Sequence, residues 1–213
     1  MRTVGRSREG RALEAECIGP PDAICAALIF GAIHGDEPES AELCRRFLAR
    51  LRLAPPTAAR VIVLPVANPD GLHARTKDNA RGVDLNRNFP AKSWSRDHPP
   101  RYFPGDAPLS EPESQALAEL IAVEKPRVLV AVHQPLRCVN WDGPAEELAA
   151  RMSAACGYPA VASVGYPTPG SFGACYGIDG ARPVITLELP RTVGDADYAG
   201  CLAALDCATI ATL

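Results

Sequence analysis

The sequence predicts an α/β fold: a mixed, mainly parallel β-sheet flanked by helices on both faces. Four apolar runs are continuous rather than alternating, which is typical of parallel strands covered on both sides. Helical patterns separate these runs along the chain, and strands that alternate with helices favour a parallel sheet. The predicted strands are residues 24–33, 61–66, 128–132 and 184–189.

Four segments carry helix signals. Residues 37–51 have a proline in the first turn and end in basic residues, as helix ends prefer. Ser110 and Glu113 form a capping-box signature ahead of apolar residues at helical spacing. Residues 144–156 and 195–213 are the other two predicted helices.

Residues 67–105 are rich in proline, glycine and asparagine and are predicted to be a long irregular region. Loops of this length inside a compact domain are usually functional. No linker divides the chain, so residues 1–213 are predicted to form a single domain.

The composition narrows the choice of partners. Of 213 residues, 47% are hydrophobic and 22% are charged, and the formal net charge of -3 gives no electrostatic reason to bind nucleic acid or an anionic membrane. No apolar run has membrane-spanning length, and the first ten residues lack the apolar core of a signal peptide. The eight cysteines include no Cys-x-x-Cys pair and are predicted to be reduced thiols. We therefore expect a cytoplasmic globular protein, of an oligomeric state that composition does not determine.

The densest polar run lies in the predicted loop region. Asp84, Asn86, Arg87 and Asn88 place four hydrogen-bonding side chains within five positions. Such groups cost free energy when buried without partners, so a fold gains little from them. An arginine beside an asparagine suits the binding of a carboxylate, and the run therefore predicts an acidic ligand.

Two histidines and a glutamate follow predicted strands. His34 and Glu37 come after the first strand, and His133 directly follows the third. The carboxyl ends of parallel strands share one edge, so these side chains are expected to meet in the crevice there. Two histidines and one glutamate match a catalytic zinc site with an open fourth position. Taken singly, Glu37 could be an acid at a helix N-terminus and His133 a hydrogen-bonded loop residue.

Glu188 lies inside the last apolar run. A carboxylate in an apolar strand is costly unless it has a partner, which favours a general base beside the metal. The alternative is a residue at the strand end that turns toward solvent.

In this order the motifs resemble the zinc carboxypeptidases, and within that family the bacterial murein tripeptide amidases. The resemblance covers about residues 5–190 and is carried above all by the run 84–90, Asp-Leu-Asn-Arg-Asn-Phe-Pro. It implies a zinc carboxypeptidase-like fold and one Zn²⁺ per chain. In the roles that it implies, the zinc ligands are His34, Glu37 and His133, the general base is Glu188, and the groups that bind the substrate's terminal carboxylate are Asn86 and Arg87.

The resemblance also implies roles for loop residues. Tyr166 corresponds to a mobile tyrosine that covers the substrate. The floor of the side-chain pocket is expected near residues 172–174, a stretch without charge, with Ser171 beside it as a substrate-binding residue. Where the family has an arginine that stabilises the oxyanion, this sequence has Lys77, and Arg75 lies two residues away. Either residue could supply that positive charge.

The function that the resemblance implies is a zinc-dependent amidase for a small peptide with a free terminal carboxylate. It would hydrolyse the γ-D-glutamyl–meso-diaminopimelate bond of L-Ala-γ-D-Glu-meso-diaminopimelate in the recycling of cell-wall peptides. Two alternatives stay open. One is a zinc-dependent deacylase of N-acyl amino acids, of the succinylglutamate desuccinylase and aspartoacylase type. The other is a catalytically weak peptide-binding homologue, which is suggested by Lys77 in place of the family's arginine.

Overall fold

An eight-stranded mixed sheet forms the centre of the protein in a computed structural model that describes residues 1–210. The strands in chain order are β1 (Arg2–Arg6), β2 (Ala12–Ile18), β3 (Cys25–Phe30), β4 (Arg60–Leu64), β5 (Val128–His133), β6 (Leu136–Asp142), β7 (Ala160–Val161) and β8 (Val184–Pro190). The helices are α1 (Pro38–Leu53), α2 (Pro69–Ala74), α3 (Pro112–Glu124), α4 (Glu146–Cys156) and α5 (Asp195–Ile210).

The strands lie in the order β1-β2-β4-β3-β5-β8-β6-β7. The four central strands, β4, β3, β5 and β8, are parallel to one another. Strands β1, β2 and β6 add antiparallel pairs toward the two edges, and the short β7 runs parallel to β6. The predicted fold class, a mixed sheet with a parallel centre, is confirmed.

The sheet is covered on both faces, which explains the continuous apolar runs. Every residue of β3 and β5 is buried. Residues of α1, α4 and α5 pack on one face of these strands, whereas residues of α3 pack on the other. Each central strand therefore needs apolar side chains at successive positions, not only at alternate ones.

The sequence located the central elements and missed those at the sheet edges. The four predicted strands correspond to β3, β4, β5 and β8, and the four predicted helices to α1, α3, α4 and α5. Residues 211–213 of the last predicted helix lie outside the described residues. Strands β1, β2, β6 and β7 were not predicted, because edge strands are half exposed and carry no continuous apolar run.

The predicted capping box at Ser110 is wrong. Helix α3 begins one residue later, with Glu111 at its N-cap and no hydrogen bond from that side chain to the helix backbone. The carboxylate of Glu113 does not reach back to Ser110. It accepts hydrogen bonds from the Arg8 backbone N–H at 3.0 Å and from Asn79 Nδ2 at 3.2 Å, which tie α3 to other segments.

The region 67–105 is less irregular than predicted. It contains α2 and two 3-10 turns, Leu85–Arg87 and Pro100–Tyr102. The side chain of Asn68 caps α2 by accepting a hydrogen bond from the Gly71 N–H at 2.9 Å. An asparagine followed by proline is a helix start signal that the turn-rich composition concealed.

Membrane spans and cysteine pairing were both predicted from composition. No helix among the described residues is long and apolar enough to cross a membrane. All eight cysteines are unpaired thiols, as predicted, and Cys25, Cys44, Cys138 and Cys201 are buried.

The strand order places one crevice at the centre of the sheet. From β3 the chain passes to β4 on one side and later to β5 on the other, so the strand order reverses between β3 and β5. In parallel α/β sheets, ligands bind outside the carboxyl ends of strands at such a switch point. His34 lies just beyond β3 and His133 ends β5, so both belong to this crevice.

Candidate active site

His34, Glu37 and His133 converge at the carboxyl edge of β3 and β5. His34 lies in the loop before α1, Glu37 is the N-cap residue of α1, and His133 is the last residue of β5. Nδ1 of His34 is 2.8 Å from Oε1 of Glu37, and Nδ1 of His133 is 3.0 Å from Oε2 of the same carboxylate. One donor atom from each residue lies within 4.8 Å of the other two.

This donor set fits zinc. Two imidazole nitrogens and one carboxylate oxygen are the protein ligands of many catalytic zinc sites. With Zn–N and Zn–O bonds of about 2.0–2.2 Å, ligand atoms around a tetrahedral ion stand roughly 3.3 Å apart, close to the contacts measured between the histidines and Glu37. All three residues also line one open cavity, so a fourth position can face a ligand.

Opposite charges face each other in the cluster of His34, Glu37 and His133. Burial opposes the charge of His34, but the carboxylates of Glu37 and Asp84 outweigh it and raise the pKa of this imidazole to about 9. Burial likewise opposes the charge of Glu37, and the two histidines lower its pKa to about 2. Without metal, Glu37 is therefore an anion and His34 a cation at neutral pH. A metal ion that takes the place of the His34 proton meets a preformed negative ligand.

Asp84 contacts His34 on the ring nitrogen that faces away from Glu37, a role that the sequence did not reveal. Its Oδ1 lies 3.2 Å from Nε2 of His34 and accepts a hydrogen bond from the Asn86 N–H at 3.0 Å. The side chain is fully buried and also pairs with Lys77. A carboxylate on Nε2 holds the proton there and leaves Nδ1 to bind metal, as in carboxylate–histidine–zinc triads. The polar run drew attention to Asp84, but no spacing indicates a partner 50 residues earlier.

Glu188 faces the same cavity from the adjacent strand. It pairs in register with His133, since β8 lies beside β5, and its side chain lines the cavity. Only 7% of the residue is exposed, so the alternative reading, a strand-end residue turned to solvent, is wrong. Burial raises the pKa of the carboxyl group, with His133 opposing this rise and Glu37 adding to it. Oε2 accepts a hydrogen bond from the Leu136 N–H at 3.2 Å.

Asn86 and Arg87 line the cavity from the first 3-10 turn. Oδ1 of Asn86 accepts a hydrogen bond from the Phe172 N–H at 3.0 Å, so the amide nitrogen is the end of this side chain that can donate to a ligand. Arg87 is buried, and its guanidinium lies 5.2 Å from the ring centre of Tyr102. Among the described residues Arg87 has no carboxylate at ion-pair distance. A buried cation without an acidic partner is a suitable site for a ligand carboxylate.

The two candidates for the oxyanion cation occupy different places. Lys77 lines the cavity, pairs with Asp84 and lies 5.1 Å from the ring centre of Tyr102. Arg75 is an exposed residue at the C-cap of α2, with a left-handed backbone, and it is not among the described residues that line the cavity. The geometry therefore brings Lys77 to the cluster and leaves Arg75 outside it.

Tyr166 and Ser171 also contribute side chains to the cavity. Tyr166 lines the cavity and is 48% exposed, and burial followed by the charge of Glu188 raises the pKa of its phenol. Ser171 also lines the cavity, but its hydroxyl accepts a hydrogen bond from the Ala174 N–H at 3.0 Å. Ser171 thus helps to hold the π-helical segment Gly173–Asp179 as well as facing the cavity.

The cavity has a volume of about 350 Å³. Of the predicted pocket floor, residues 172–174, Phe172 and Gly173 contribute to the wall and carry no charge, whereas Ala174 does not line the cavity. The pocket is not free of charge, however, because Asp142 at the end of β6 also lines it. The sequence did not place Asp142 there, since β6 was not predicted. The alternation of Asn140 and Asp142 before a glycine was the available signal.

Comparisons with known proteins agree with this geometry. The family model described as zinc carboxypeptidase matches residues 1–143. Murein peptide amidase A of Escherichia coli strain K12 is 38% identical over 182 residues, which cover 80% of this chain and 73% of that protein. The Vibrio campbellii protein of the same name is 35% identical over 181 residues, covering 79% and 71%.

A solved structure shares the whole fold. The crystal structure of murein-tripeptide amidase MpaA from Escherichia coli O157 superimposes with a TM-score of 0.80 at 34% identity, covering 100% of this chain and 91% of that chain. The chain therefore belongs to the zinc carboxypeptidase family and is a hydrolase.

Proposed function

We propose that this protein is a zinc-dependent amidase that hydrolyses the γ-D-glutamyl–meso-diaminopimelate bond of L-Ala-γ-D-Glu-meso-diaminopimelate. The observation that carries the proposal is the juxtaposition of His34, Glu37 and His133 with a buried Glu188 in one cavity. The choice of substrate is supported by the similarity to murein peptide amidases over about four-fifths of the chain.

His34, Glu37 and His133 would hold one zinc ion per chain. When bound, zinc supplies a Lewis acid that polarises a carbonyl group and lowers the pKa of water toward neutrality. Asp84 keeps His34 in the tautomer that binds metal. The buried, half-enclosed setting strengthens the electrostatic interactions of these charges.

Glu188 would move the proton. It takes a proton from the attacking water, whose oxygen bonds to the scissile carbonyl carbon. It then passes that proton to the departing amine of diaminopimelate as the carbon–nitrogen bond breaks. A carboxyl group with a raised pKa suits both halves of this transfer, because donor and acceptor strengths are more nearly matched.

The loop residues would position the substrate. Arg87 and the amide nitrogen of Asn86 bind the terminal carboxylate, for which the cavity offers no competing anion at Arg87. Lys77 would stabilise negative charge on the carbonyl oxygen in the transition state. Tyr166 stands at the exposed side of the cavity, where it can cover a bound peptide.

The proposal extends to the setting of the reaction. We place it in the cytoplasmic recycling of cell-wall peptides, as the resemblance to the amidases implies. The peptide product of hydrolysis, L-Ala-D-Glu, and free diaminopimelate would both be available for reuse.

The direct test is to incubate zinc-loaded protein with the tripeptide and to measure free diaminopimelate. We expect release by the wild type, loss of release after chelation, and recovery when zinc is returned. A parallel assay with N-acetylaspartate and N-succinylglutamate tests the deacylase alternative. Turnover of these compounds without release of diaminopimelate would reject the proposed substrate, and tight tripeptide binding without turnover would favour a weak homologue.

A further inference from the structure

The loop that carries His34 and Glu37 spans residues 31–37, between β3 and α1. Because these two side chains are three residues apart, their separation depends on the backbone of this short loop. The N-cap residue of α2 holds its first half. The Asn68 N–H donates a hydrogen bond to the Ala32 C=O at 2.8 Å, and Asn68 Nδ2 donates one to the Ile33 C=O at 3.2 Å.

The backbone of Ala32 has an unusual conformation. Its φ is +45°, in the left-handed region that residues with a side chain rarely adopt. Ala32 is also fully buried, so its N–H needs a hydrogen-bond partner inside the protein. An alanine persists in this conformation only where the surrounding contacts enforce it.

The hydroxyl of Ser40 is the partner of the Ala32 N–H. Ser40 is the third residue of α1 and is fully buried. Its Oγ accepts a hydrogen bond from the Ala32 N–H at 2.8 Å and donates one to the Glu37 C=O at 2.5 Å. A serine hydroxyl has one proton and two lone pairs, so both bonds can form at once. A single side-chain atom thus joins the residue two positions before His34 to the backbone of Glu37.

The start of the loop also lies directly against the first turn of α1. A Cβ at Gly31 would lie 2.5 Å from the carbonyl oxygen of Ser40, so only glycine allows this approach. The carboxylate of Glu37 is held separately, because its Oε2 accepts a hydrogen bond from the Gln134 N–H at 3.2 Å. Ser40 therefore acts on the backbone of the loop, and other residues act on the side chains that it carries.

We propose that Ser40 is a positioning residue for the zinc site, which sets the separation of His34 and Glu37 through the backbone of their loop. The inference rests on the proposed function, because it assumes that these residues bind zinc. Without the hydroxyl, the Ala32 N–H is buried with no partner, and its left-handed backbone loses the contact that favours it. The metal-free loop then relaxes, and zinc has to restore its geometry on binding. Zinc affinity falls, although no zinc ligand has changed.

Helix α3 contains a matched control. Ser114 is the third residue of α3 and is buried, and Glu111 is the N-cap residue of α3 as Glu37 is of α1. Oγ of Ser114 donates a hydrogen bond to Oδ1 of Asn88 and lies 3.2 Å from the carbonyl oxygen of Glu111. Ser114 and Glu111 are not among the described residues that line the cavity. Ser114→Ala therefore removes a buried hydroxyl from the same helix position without touching the loop of His34 and Glu37.

Competition with a chelator dye measures zinc affinity without any substrate. We expect Ser40→Ala to bind zinc roughly tenfold more weakly than the wild type, at the lower end of the effects of residues that orient metal ligands. Ser114→Ala should lower the melting temperature of zinc-free protein by a similar amount but keep zinc affinity within about twofold, because distant sites act independently. Loss of stability alone would not separate the two variants in this way.

Ser40→Thr and Ser40→Val provide a second comparison in which the packing is the same. The two side chains have nearly the same shape, and only threonine keeps the hydroxyl. We expect the threonine variant to bind zinc roughly tenfold more tightly than the valine variant. The inference is overturned if Ser40→Ala keeps wild-type zinc affinity, if the threonine and valine variants bind zinc equally, or if Ser114→Ala loses as much affinity. A wild type that binds zinc but releases no diaminopimelate, with the Ser40 effect intact, rejects the proposed function alone.

Discussion

The two sides of the cavity are built differently. His133 and Glu188 lie on neighbouring strands of the buried parallel sheet, paired residue to residue, and both are more than 90% buried. Lys77, Arg87 and Tyr166 lie on segments outside the sheet, and their positions depend on contacts such as the Lys77–Asp84 ion pair. Strand positions are set by two ladders of backbone hydrogen bonds, whereas loop positions are set by a few side-chain contacts.

This difference corresponds to a division of labour in the proposed reaction. Proton transfer by Glu188 and metal binding by His133 require donor and acceptor atoms within tenths of an ångström, which a packed sheet supplies. Substrate binding tolerates adjustment, and a half-exposed loop residue such as Tyr166 can close on a ligand and then release it. Changes on the strand side should therefore abolish chemistry, and changes on the loop side should alter it by degrees.

Among changes on the strand side, Glu188→Gln is expected to have the largest effect on activity. The amide keeps the shape of the side chain and can still accept the hydrogen bond from the Leu136 N–H, but it cannot carry the proton. We expect kcat for the tripeptide to fall by roughly 10³- to 10⁴-fold, at the upper end of general acid–base effects. Zinc content and melting temperature serve as controls and should be unchanged. Retention of a tenth or more of wild-type activity would contradict the assigned role.

Lys77→Ala tests the loop side. Loss of a comparable oxyanion donor lowers rates by roughly 10²- to 10³-fold, and the same loss in kcat is expected here. Arg75→Ala is the matched control: this cation is two residues away and exposed, and its removal should change kcat by less than about twofold. The reverse result would show that the loop moves and that Arg75 enters the cavity.

Sequence alone located the strand side far better than the loop side. Apolar runs place His34 and His133 at the same edge of a parallel sheet, and Glu188 stands out because a carboxylate is unexpected in such a run. The role of Asp84 depends on tertiary contacts to His34 and Lys77. No local periodicity encodes those contacts. The Lys77 and Arg75 alternatives could not be separated for the same reason, because a loop has no repeating geometry that orients its side chains.

Asp84 contacts both His34, a predicted zinc ligand, and Lys77 on the loop side. The substitution Asp84→Asn tests what these contacts contribute to zinc binding. The amide of asparagine is a weaker acceptor for the Nε2 proton of His34 than a carboxylate is. The substitution also removes a negative charge next to His34. Replacing such a partner typically lowers metal affinity by roughly 10- to 100-fold, and competition with a chelator dye would measure it. Asp78→Asn changes a carboxylate 3.8 Å from the same lysine and should leave zinc affinity nearly unchanged. Equal zinc affinity in Asp84→Asn and wild type would remove Asp84 from the site.

Tyr166→Phe should have a smaller effect. The phenol lies at the exposed side of the cavity, so its hydroxyl can contribute one hydrogen bond to a bound peptide. Losing a neutral hydrogen bond corresponds to roughly a three- to tenfold fall in kcat/KM. Tyr102→Phe is a useful comparison, because the ring of Tyr102 still faces Arg87 and Lys77 after the hydroxyl is removed. If the Tyr166→Phe variant kept the wild-type kcat/KM, the hydroxyl would have no part in substrate binding, and only the ring of Tyr166 could cover the site.

The last expected effect is on stability rather than on activity, and it concerns zinc-free protein. Because the pKa of His34 is raised from 6.5 to about 9, its contribution is fully present below pH 6.5 and is lost as the pH rises toward 9. The pKa of Glu37 is lowered from 4.5 to about 2, so its contribution is present above pH 4.5 and is lost as the pH falls toward 2. Chelated protein should therefore melt at lower temperature at pH 9 than at pH 6.5. The His34→Asn variant lacks the titrating imidazole, so its melting temperature should fall less between pH 6.5 and pH 9. The same fall in both proteins would mean that His34 does not contribute to this pH dependence.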